Sequence, residues 1–315
     1  MSLVGSSVEQ RAVVTGGAGF IGSHLVDALL DRGASEVIVV DNLVRGRLAN
    51  LDAARCDRLR VIEADIRDRD ALAEAMRGAD TVYHLAAQST VMGAAQDVDY
   101  TFTTNVVGTY NVLRVAHDER VKRVVFTSSR EVYGEPLCLP VDEGHPLMSI
   151  NSYGASKVSG EALCRAFTRE SELETVVLRL ANVFGPRDYG RVIPHWIEQA
   201  RAGRELVVYG GEQVIDFIWV GHVVEAIIRT ATSDRTLPPI NVASGTGTRI
   251  LDLARRISQV VGHANPVRIE PRRTIEVARF IGNVERMTQL LGMAPPTDPL
   301  ANLPQMVRPL AATAA

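Results

Sequence analysis

The chain is 315 residues long, yet no stretch of it is apolar for anything near the ~20 residues that cross a bilayer. Cysteine is scarce. Cys56, Cys138 and Cys164 are scattered with no CxxC pair, which argues against a disulfide framework or a thiolate metal site. They read as reduced packing residues of a cytoplasmic protein. The seven histidines fall in no HExxH or comparable spacing, so no metal centre is expected. Neither sign of charge dominates: 34 basic residues stand against 37 acidic ones, mixed along the chain. That excludes a basic nucleic-acid surface and a basic membrane helix. The N-terminus, MSLVGSSVEQR, is polar and has no apolar segment of the kind a signal peptide carries. Internal repeats and low-complexity tracts are absent too.

What is present is a regular alternation. Short apolar runs, RAVVT, EVIVVD, LRVIEAD, DTVYHLAA, VKRVVFTSS and ETVVLRLAN, are separated by stretches of helical periodicity. The helices are expected at Phe20–Leu30, in RDRDALAEAMRG, and over Tyr100–His117 and Ser152–Arg169. EVIVVD reads as a strand buried on both faces. Strands alternating with helices imply an α/β fold, a doubly wound parallel sheet with helices on each side. After Asn182 the rhythm breaks. VFGPRDYG is a glycine- and proline-rich loop, and RVIPHWIEQARAGR is expected to turn helical after Pro194. Two short strands then sit in ELVVYGGEQVIDFIWV, and two helices in GHVVEAIIRTA and RILDLARRISQVVG. The expected division is a nucleotide-binding domain over 8–181, to which 217–243 returns. A smaller C-terminal substrate-binding lobe spans 182–216 and 244–292, and a proline- and alanine-rich tail over 293–315 is expected to pack loosely.

The first strand runs into TGGAGFIGSHLV, which places Gly16, Gly19 and Gly22 between strand and helix. The first glycine suits a tight turn, the second a close backbone approach to a pyrophosphate, and the third close packing of helix on strand. The helix N-terminus adds free N–H groups and a positive dipole end. This is the Rossmann-type dinucleotide fingerprint in its full context, because Asp41 ends the next strand. A carboxylate there accepts from the ribose hydroxyls and repels a 2′-phosphate, which selects NAD over NADP. Arg45 and Arg47 follow and read as solvated loop charges. Asp65, after the third strand, is a candidate adenine contact, while Asp68 suits the N-cap of the helix that follows.

Tyr153 and Lys157, in NSYGASK, are spaced i,i+4 and share one helix face. A phenol has an ordinary pKa near ~10 and needs a neighbouring positive charge to act as a base at neutral pH. An ammonium from Lys157 and a positively charged nicotinamide would both favour the phenolate, which could then take a hydroxyl proton as hydride leaves the same carbon. Ser129, in the loop after the fifth strand, can hydrogen-bond the same oxygen.

Taken in order, TGGAGFIGSHLV, DNL, DIRD, HLAAQ, NVVGTYNVL, TSSREVYG, YGASK and LRLANVFGPR make the sequence resemble the extended short-chain dehydrogenase/reductase family. The closer likeness is to its nucleotide-sugar epimerase/dehydratase branch, of the UDP-glucose 4-epimerase type. The match runs over roughly the first 210 residues and continues more weakly to about Leu291. The resemblance implies a tightly held NAD that is used and regenerated, and a nucleoside-diphosphate sugar held by the C-terminal lobe. It also implies a homodimer formed through the helices around Thr104–His117 and Tyr153–Thr168, and a place in carbohydrate biosynthesis. It places Phe20 and Ile21 over the pyrophosphate, and Leu85, Ala86 and Ala87 along the cofactor. Asn42, Ile66 and Ser128 line the same cofactor, and Asn105 steadies the loop beside the nicotinamide. Ser129, Tyr153 and Lys157 form the catalytic set. Asn182 would grip the diphosphate, Val192 and Tyr209 the nucleotide, and Arg279 the diphosphate again.

The sequence departs from the family at several points. Ile215 stands where the family carries a diphosphate-binding arginine, and the loss of a charge-assisted contact bears on the substrate. Arg187, Arg191 or Arg272 could compensate. His222 and Asn283 replace usual aspartates. Beside Ser129 the chain has Arg130–Glu131, where a dehydratase of the family has Asp–Glu and a plain 4-epimerase has no acid. Glu131 keeps a possible base, while arginine cannot serve as a general acid. The leading expectation is an NAD-dependent nucleotide-sugar 4-epimerase. The alternatives are a dehydratase or decarboxylase using Glu131, a net dehydrogenase/reductase on a smaller alcohol, or a non-catalytic NAD-binding sensor.

Overall fold

A computed structural model of the chain describes residues 10–272 and 277–307. The expected domain start at residue 8 and the end of the tail lie outside these residues. Strand β1 (Arg11–Thr15) enters helix α1 (Phe20–Asp31), which returns to β2 (Glu36–Asp41). A 3-10 turn precedes β3 (Leu59–Glu63), α2 (Arg69–Met76) and β4 (Thr81–His84). Helical pieces α3 (Val91–Gln96), α4 (Val98–Phe102) and α5 (Thr109–Asp118) follow, the last two joined by a π-helical turn at Thr103–Gly108. Then come β5 (Arg123–Ser129), α6 (Ser152–Glu170) and β6 (Glu174–Leu180). The C-terminal part runs β7 (Asn182–Phe184), α7 (Val192–Arg201), β8 (Leu206–Tyr209), β9 (Val214–Trp219), α8 (Val220–Ala231) and β10 (Ile240–Val242). It ends with β11 (Gly247–Arg249), α9 (Ile250–Val261), β12 (Val267–Glu270), β13 (Arg279–Phe280), α10 (Glu285–Leu291) and α11 (Leu303–Val307).

Seven strands form one parallel sheet in the order β10-β6-β5-β4-β1-β2-β3. Its central strands are buried almost throughout, as their unbroken valine and isoleucine runs require. The order reverses between β1 and β4. Crossovers there leave in opposite directions and open a crevice at the strand C-termini. The seventh strand, β10, is only three residues long and carries no periodic signal of its own. It pairs with β6, and α8 before it packs on α1, so this stretch belongs to the large sheet. The second lobe pairs β9 with β7, β11 and β13, and β8 with β12.

Two expectations change. Helix α7 begins at Val192, ahead of Pro194, not after it. A proline in a first turn costs no hydrogen bond, because that turn's N–H groups have no intrahelical partner. The tail, expected to pack loosely, is seated as far as residue 307. Leu300 and Leu303 are buried against Trp196 and Ile257 in the core of the second lobe. Asp216 pins that lobe from within: its carboxylate accepts from Ser244 N–H and Oγ–H and from the Gly245 and Gly282 N–H groups. Among the described residues no helix is long and apolar enough to cross a membrane.

Candidate active site

The crevice is a cavity of about 1080 Å³ running from the glycine turn, past the C-termini of β4, β5 and β6, to the second lobe. At one end the backbone makes the cradle. Gly16 has a φ of +72°, and a Cβ on it would fall 2.7 Å from the Ala86 nitrogen. A Cβ on Gly22 would lie 2.1 Å from the Gly16 carbonyl oxygen. Only glycine fits either place. No side chain caps α1, whose N-terminus therefore presents its N–H groups to the cavity. An uncapped, glycine-walled helix start with Phe20 and Ile21 beside it fits a dinucleotide pyrophosphate. Asp41 lines the cavity further along. Ala18 N–H donates to its Oδ2 at 3.0 Å and Leu43 N–H to its Oδ1 at 2.9 Å, and each oxygen keeps a lone pair for a ribose hydroxyl. Burial pushes this carboxyl above its usual range, against the pull of those two N–H groups.

Tyr153, Lys157 and Ser129 meet on the opposite wall, and all three line the cavity. Asn151 caps α6 by accepting from Gly154 N–H at 2.9 Å, which sets the helix so that its i,i+4 face looks inward. Lys157 Nζ donates to the Thr127 carbonyl at 2.8 Å and lies 6.0 Å from the Tyr153 ring centroid. Burial pushes the Tyr153 phenol above its usual range. The charge that opposes this most is Arg191, helped by a Ser129 hydrogen bond and by Arg130, while Glu131 works against them. The lowering expected from Lys157 therefore comes from other groups.

Lys157 itself is only 4% exposed, and burial brings its ammonium down from 10.5 to about 8. The unfolded chain holds that proton up to the ordinary lysine pKa, so the buried charge opposes folding below pH 8. The cost is relieved as pH rises from 8 towards 10.5. Lys157→Met is accordingly expected to hold or raise thermal stability at pH 7, by roughly 2 kcal/mol after the Thr127 carbonyl loses its donor. Calorimetry of the two proteins checks this, and a clear drop in melting temperature would contradict it.

Behind the cofactor wall lies a polar chain. Thr109 donates its hydroxyl proton to the Asn105 carbonyl at 2.6 Å, so His84 Nε2–H must donate to Thr109 Oγ1 at 2.9 Å. His84 Nδ1 then accepts from Thr15 Oγ1 at 2.8 Å. Burial, and the Lys157 charge after it, push this imidazole down to about 3, so it is neutral. Asn105, on the π-helical turn, accepts from Gln88 N–H and donates to the Gln88 carbonyl and to Ser156 Oγ. It clamps the loop that carries Leu85, Ala86 and Ala87 and does not itself reach the cavity. A π turn adds a residue to the helical circuit, and such turns recur at functional sites.

The cavity lining brings together Gly16, Gly19, Phe20, Ile21, Gly22, Asp41, Asn42 and Ile66 with Leu85, Ala86, Ala87 and Ser128. Ser129, Glu131, Tyr153 and Lys157 join them, and so do Asn182, Val192 and Tyr209 from the second lobe. Besides Asn105, two expected residues are elsewhere. Asp65 is held by Arg67 and by Asn42 Nδ2, and the Arg67 hydrogen bond above all brings its carboxyl down to about 2. Its neighbours Ala64 and Ile66 face the cavity in its place. Arg279 is exposed on β13, outside the lining. The helix cap near Asp65 is Asp68, as its spacing suggests. Arg47 and Arg45 are not simply solvated: the Arg47 guanidinium stacks 3.8 Å from the Tyr189 ring centroid, and Arg45 reaches the Tyr189 carbonyl at 3.5 Å.

Ile215 is buried in the cavity wall at 5% exposure. Of the three arginines that could stand in for the missing charge, Arg187 pairs with Asp27 at 2.7 Å and Arg272 with Glu135 at 3.0 Å. Arg191 lines the cavity, and its carboxylate neighbour Asp188 is no nearer than 3.7 Å. Asp188 is buried, which pushes its carboxyl up to about 6 despite the charges of Arg191 and Arg45. Nothing local in GPRDYG marks Asp188 or Arg191 as inward-facing, because the loop reads as surface.

A family model described as the NAD dependent epimerase/dehydratase family matches residues 12–243. A UDP-glucose 4-epimerase of Mycolicibacterium smegmatis is 35% identical, covering 90% of this chain and 93% of that one. A UDP-glucuronic acid decarboxylase of Arabidopsis thaliana is 32% identical over 94% of this chain and 69% of its own length. Among solved structures, a UDP-glucose 4-epimerase of Thermotoga maritima with UDP-glucose superposes with a TM-score of 0.89 at 32% identity. It covers 94% of this chain and 97% of that one.

Proposed function

We propose a reaction from one premise: the chain belongs to the NAD dependent epimerase/dehydratase family. It is an NAD-dependent enzyme of the nucleotide-sugar class, and the reading favoured here is 4-epimerisation of a nucleoside-diphosphate hexose. The observation that carries it is the meeting of Tyr153, Ser129 and Lys157 on one wall of a cavity whose far end is the glycine cradle. Bound NAD supplies a hydride acceptor and donor at C4 of the sugar, and a positive nicotinamide charge. Tyr153 Oη takes the proton of the 4-hydroxyl and later gives it back to O4. Ser129 Oγ holds the same oxygen, and the charges of Arg191 and Arg130 favour the phenolate. Asn182, Val192 and Tyr209 hold the diphosphate and nucleotide, with Arg191 in place of the arginine lost at position 215. Ile215, Phe217, Val277 and Trp196 give the same cavity part of its apolar lining.

Epimerisation is favoured over water or carbon dioxide loss because Glu131 is oriented by two fixed partners and its neighbour Arg130 cannot serve as the general acid that dehydration needs. Glu131 Oε1 pairs with Arg130 Nη2 at 2.9 Å and its Oε2 accepts from Asn151 Nδ2 at 2.7 Å. The homodimer belongs to the same reading: Val98, Phe102, Val107 and Tyr110 are exposed apolar residues on the α4–α5 face. The test is chromatographic separation against C4-epimer standards, followed by mass spectrometry, of products formed with NAD from UDP- and dTDP-linked hexoses and hexuronates. A product of unchanged mass and inverted C4 is expected, whereas loss of water or carbon dioxide would replace this reading with a lyase.

A further inference from the structure

Arg130 and Glu131 are 9% and 5% exposed in the cavity wall, and the proton transfers above use neither. They are the middle of a longer line. Arg130 Nε donates to Asn182 Oδ1, and Arg130 Nη2 pairs with Glu131 Oε1 at 2.9 Å. Glu131 Oε2 accepts from Asn151 Nδ2 at 2.7 Å, and Asn151 Oδ1 accepts from Gly154 N–H at 2.9 Å. The line therefore joins the first residue of β7 to the first turn of the helix that carries Tyr153 and Lys157. Arg130 is also packed against the second lobe. Its guanidinium sits 5.7 Å from the Phe280 ring centroid, and Nη1 is buried there with no hydrogen-bond partner among the described residues.

Two consequences follow from donor chemistry. Arginine only donates, so Asn182 must turn its amide oxygen to Arg130, which leaves the Asn182 NH₂ group for a ligand. Each Glu131 oxygen accepts one of these contacts, and the two together fix the direction in which the carboxylate's remaining lone pairs point. This matters because a ketone at C4 of a sugar makes the neighbouring C5–H acidic, and a free carboxylate beside Tyr153 is placed to remove it.

We propose that Arg130 is a specificity-determining residue: it turns the Asn182 donor towards the substrate and holds Glu131 away from proton chemistry, so the keto sugar returns with its C5 hydrogen intact. The proposal rests on the epimerase reading. In the step that Arg130 prevents, the C5–H bond breaks with its electron pair passing to O4 as an enolate, and C5 is reprotonated from solvent.

Turnover in D₂O tests it. The wild-type enzyme returns an epimer with no carbon-bound deuterium. Arg130→Met is expected to place one deuteron at C5 and to raise KM for the sugar nucleotide about tenfold, the loss of one charge-assisted orienting contact. Adding Glu131→Gln removes the deuterium and leaves KM raised. A substrate-independent arm measures amide exchange at the start of α6. Arg130→Met, Glu131→Gln and the double variant should quicken it equally, because a line is broken only once. Arg130→Met with unlabelled product and unchanged KM overturns the proposal, and so do additive exchange effects. If the wild-type protein converts no sugar, the epimerase reading fails on its own, and amide exchange still decides whether the line exists.

Discussion

Tyr153→Phe is expected to lower kcat by about three orders of magnitude, within the span that general acid–base catalysis contributes. The substitution removes one oxygen and leaves the ring in place, so the wall of the cavity keeps its shape. NAD affinity should be unchanged, because the cradle is built by Gly16, Gly22 and Asp41 at the other end. KM for the sugar should move little, since the lost group acts on the proton in flight more than on the bound substrate. Burial pushes the Tyr153 hydroxyl up, and Arg191, Ser129 and Arg130 bring it part of the way back. A positive nicotinamide charge beside it would lower it further. Steady-state kinetics beside NAD titration separates the two effects. A variant that keeps a tenth of wild-type kcat would mean that another group takes the proton.

Arg179→Met is expected to cost roughly 3–5 kcal/mol of stability, the range for breaking a buried ion pair from one side. Arg179 on β6 and Glu161 on α6 have side chains only 5% and 6% exposed. The guanidinium donates to both Glu161 oxygens, to the Tyr133 hydroxyl at 3.0 Å and to the Glu143 carbonyl at 3.0 Å. Ser128 Oγ also donates to Glu161, at 2.5 Å. Methionine fills most of the volume but leaves Glu161 as an uncompensated buried charge. Glu161→Leu added to Arg179→Met should recover much of the loss, because the stranded charge has gone. Urea unfolding of the three proteins gives the cycle. A cost below about 1 kcal/mol for the single variant would show that water or a rearranged side chain reaches Glu161. Glu161 lies one turn beyond Lys157, where α6 packs against β5 and β6.

The parts of the site that were legible in the sequence are those set by neighbours along the chain. Gly16 and Gly22 announce themselves because a turn between strand and helix needs them whatever lies beyond. Tyr153 and Lys157 share a face because helical geometry brings i and i+4 together. Asp41 is placed by its position at a strand end. Asp65 also ends a strand region, yet Arg67, two residues on, captures it, and a spacing rule cannot tell a free carboxylate from a paired one. Arg279 matched a motif but faces solvent, because strand alternation turns its neighbour Phe280 inward and Arg279 outward.

The pairing of Arg130 with Asn182 joins residues 52 apart in sequence, and Arg187 with Asp27 residues 160 apart. No local pattern encodes such contacts. The seating of Leu303 depends in the same way on a pocket made by Trp196 and Ile257. The doubly wound sheet, the cofactor cradle and the tyrosine–lysine pair follow from short-range periodicity and backbone sterics, so the residues alone suffice to place them. That Arg191 faces the cavity, that Asp65 does not, and that Glu131 is held by Arg130 emerge only in the packed molecule. Those outcomes depend on which distant side chains compete for the same donors once the chain is packed.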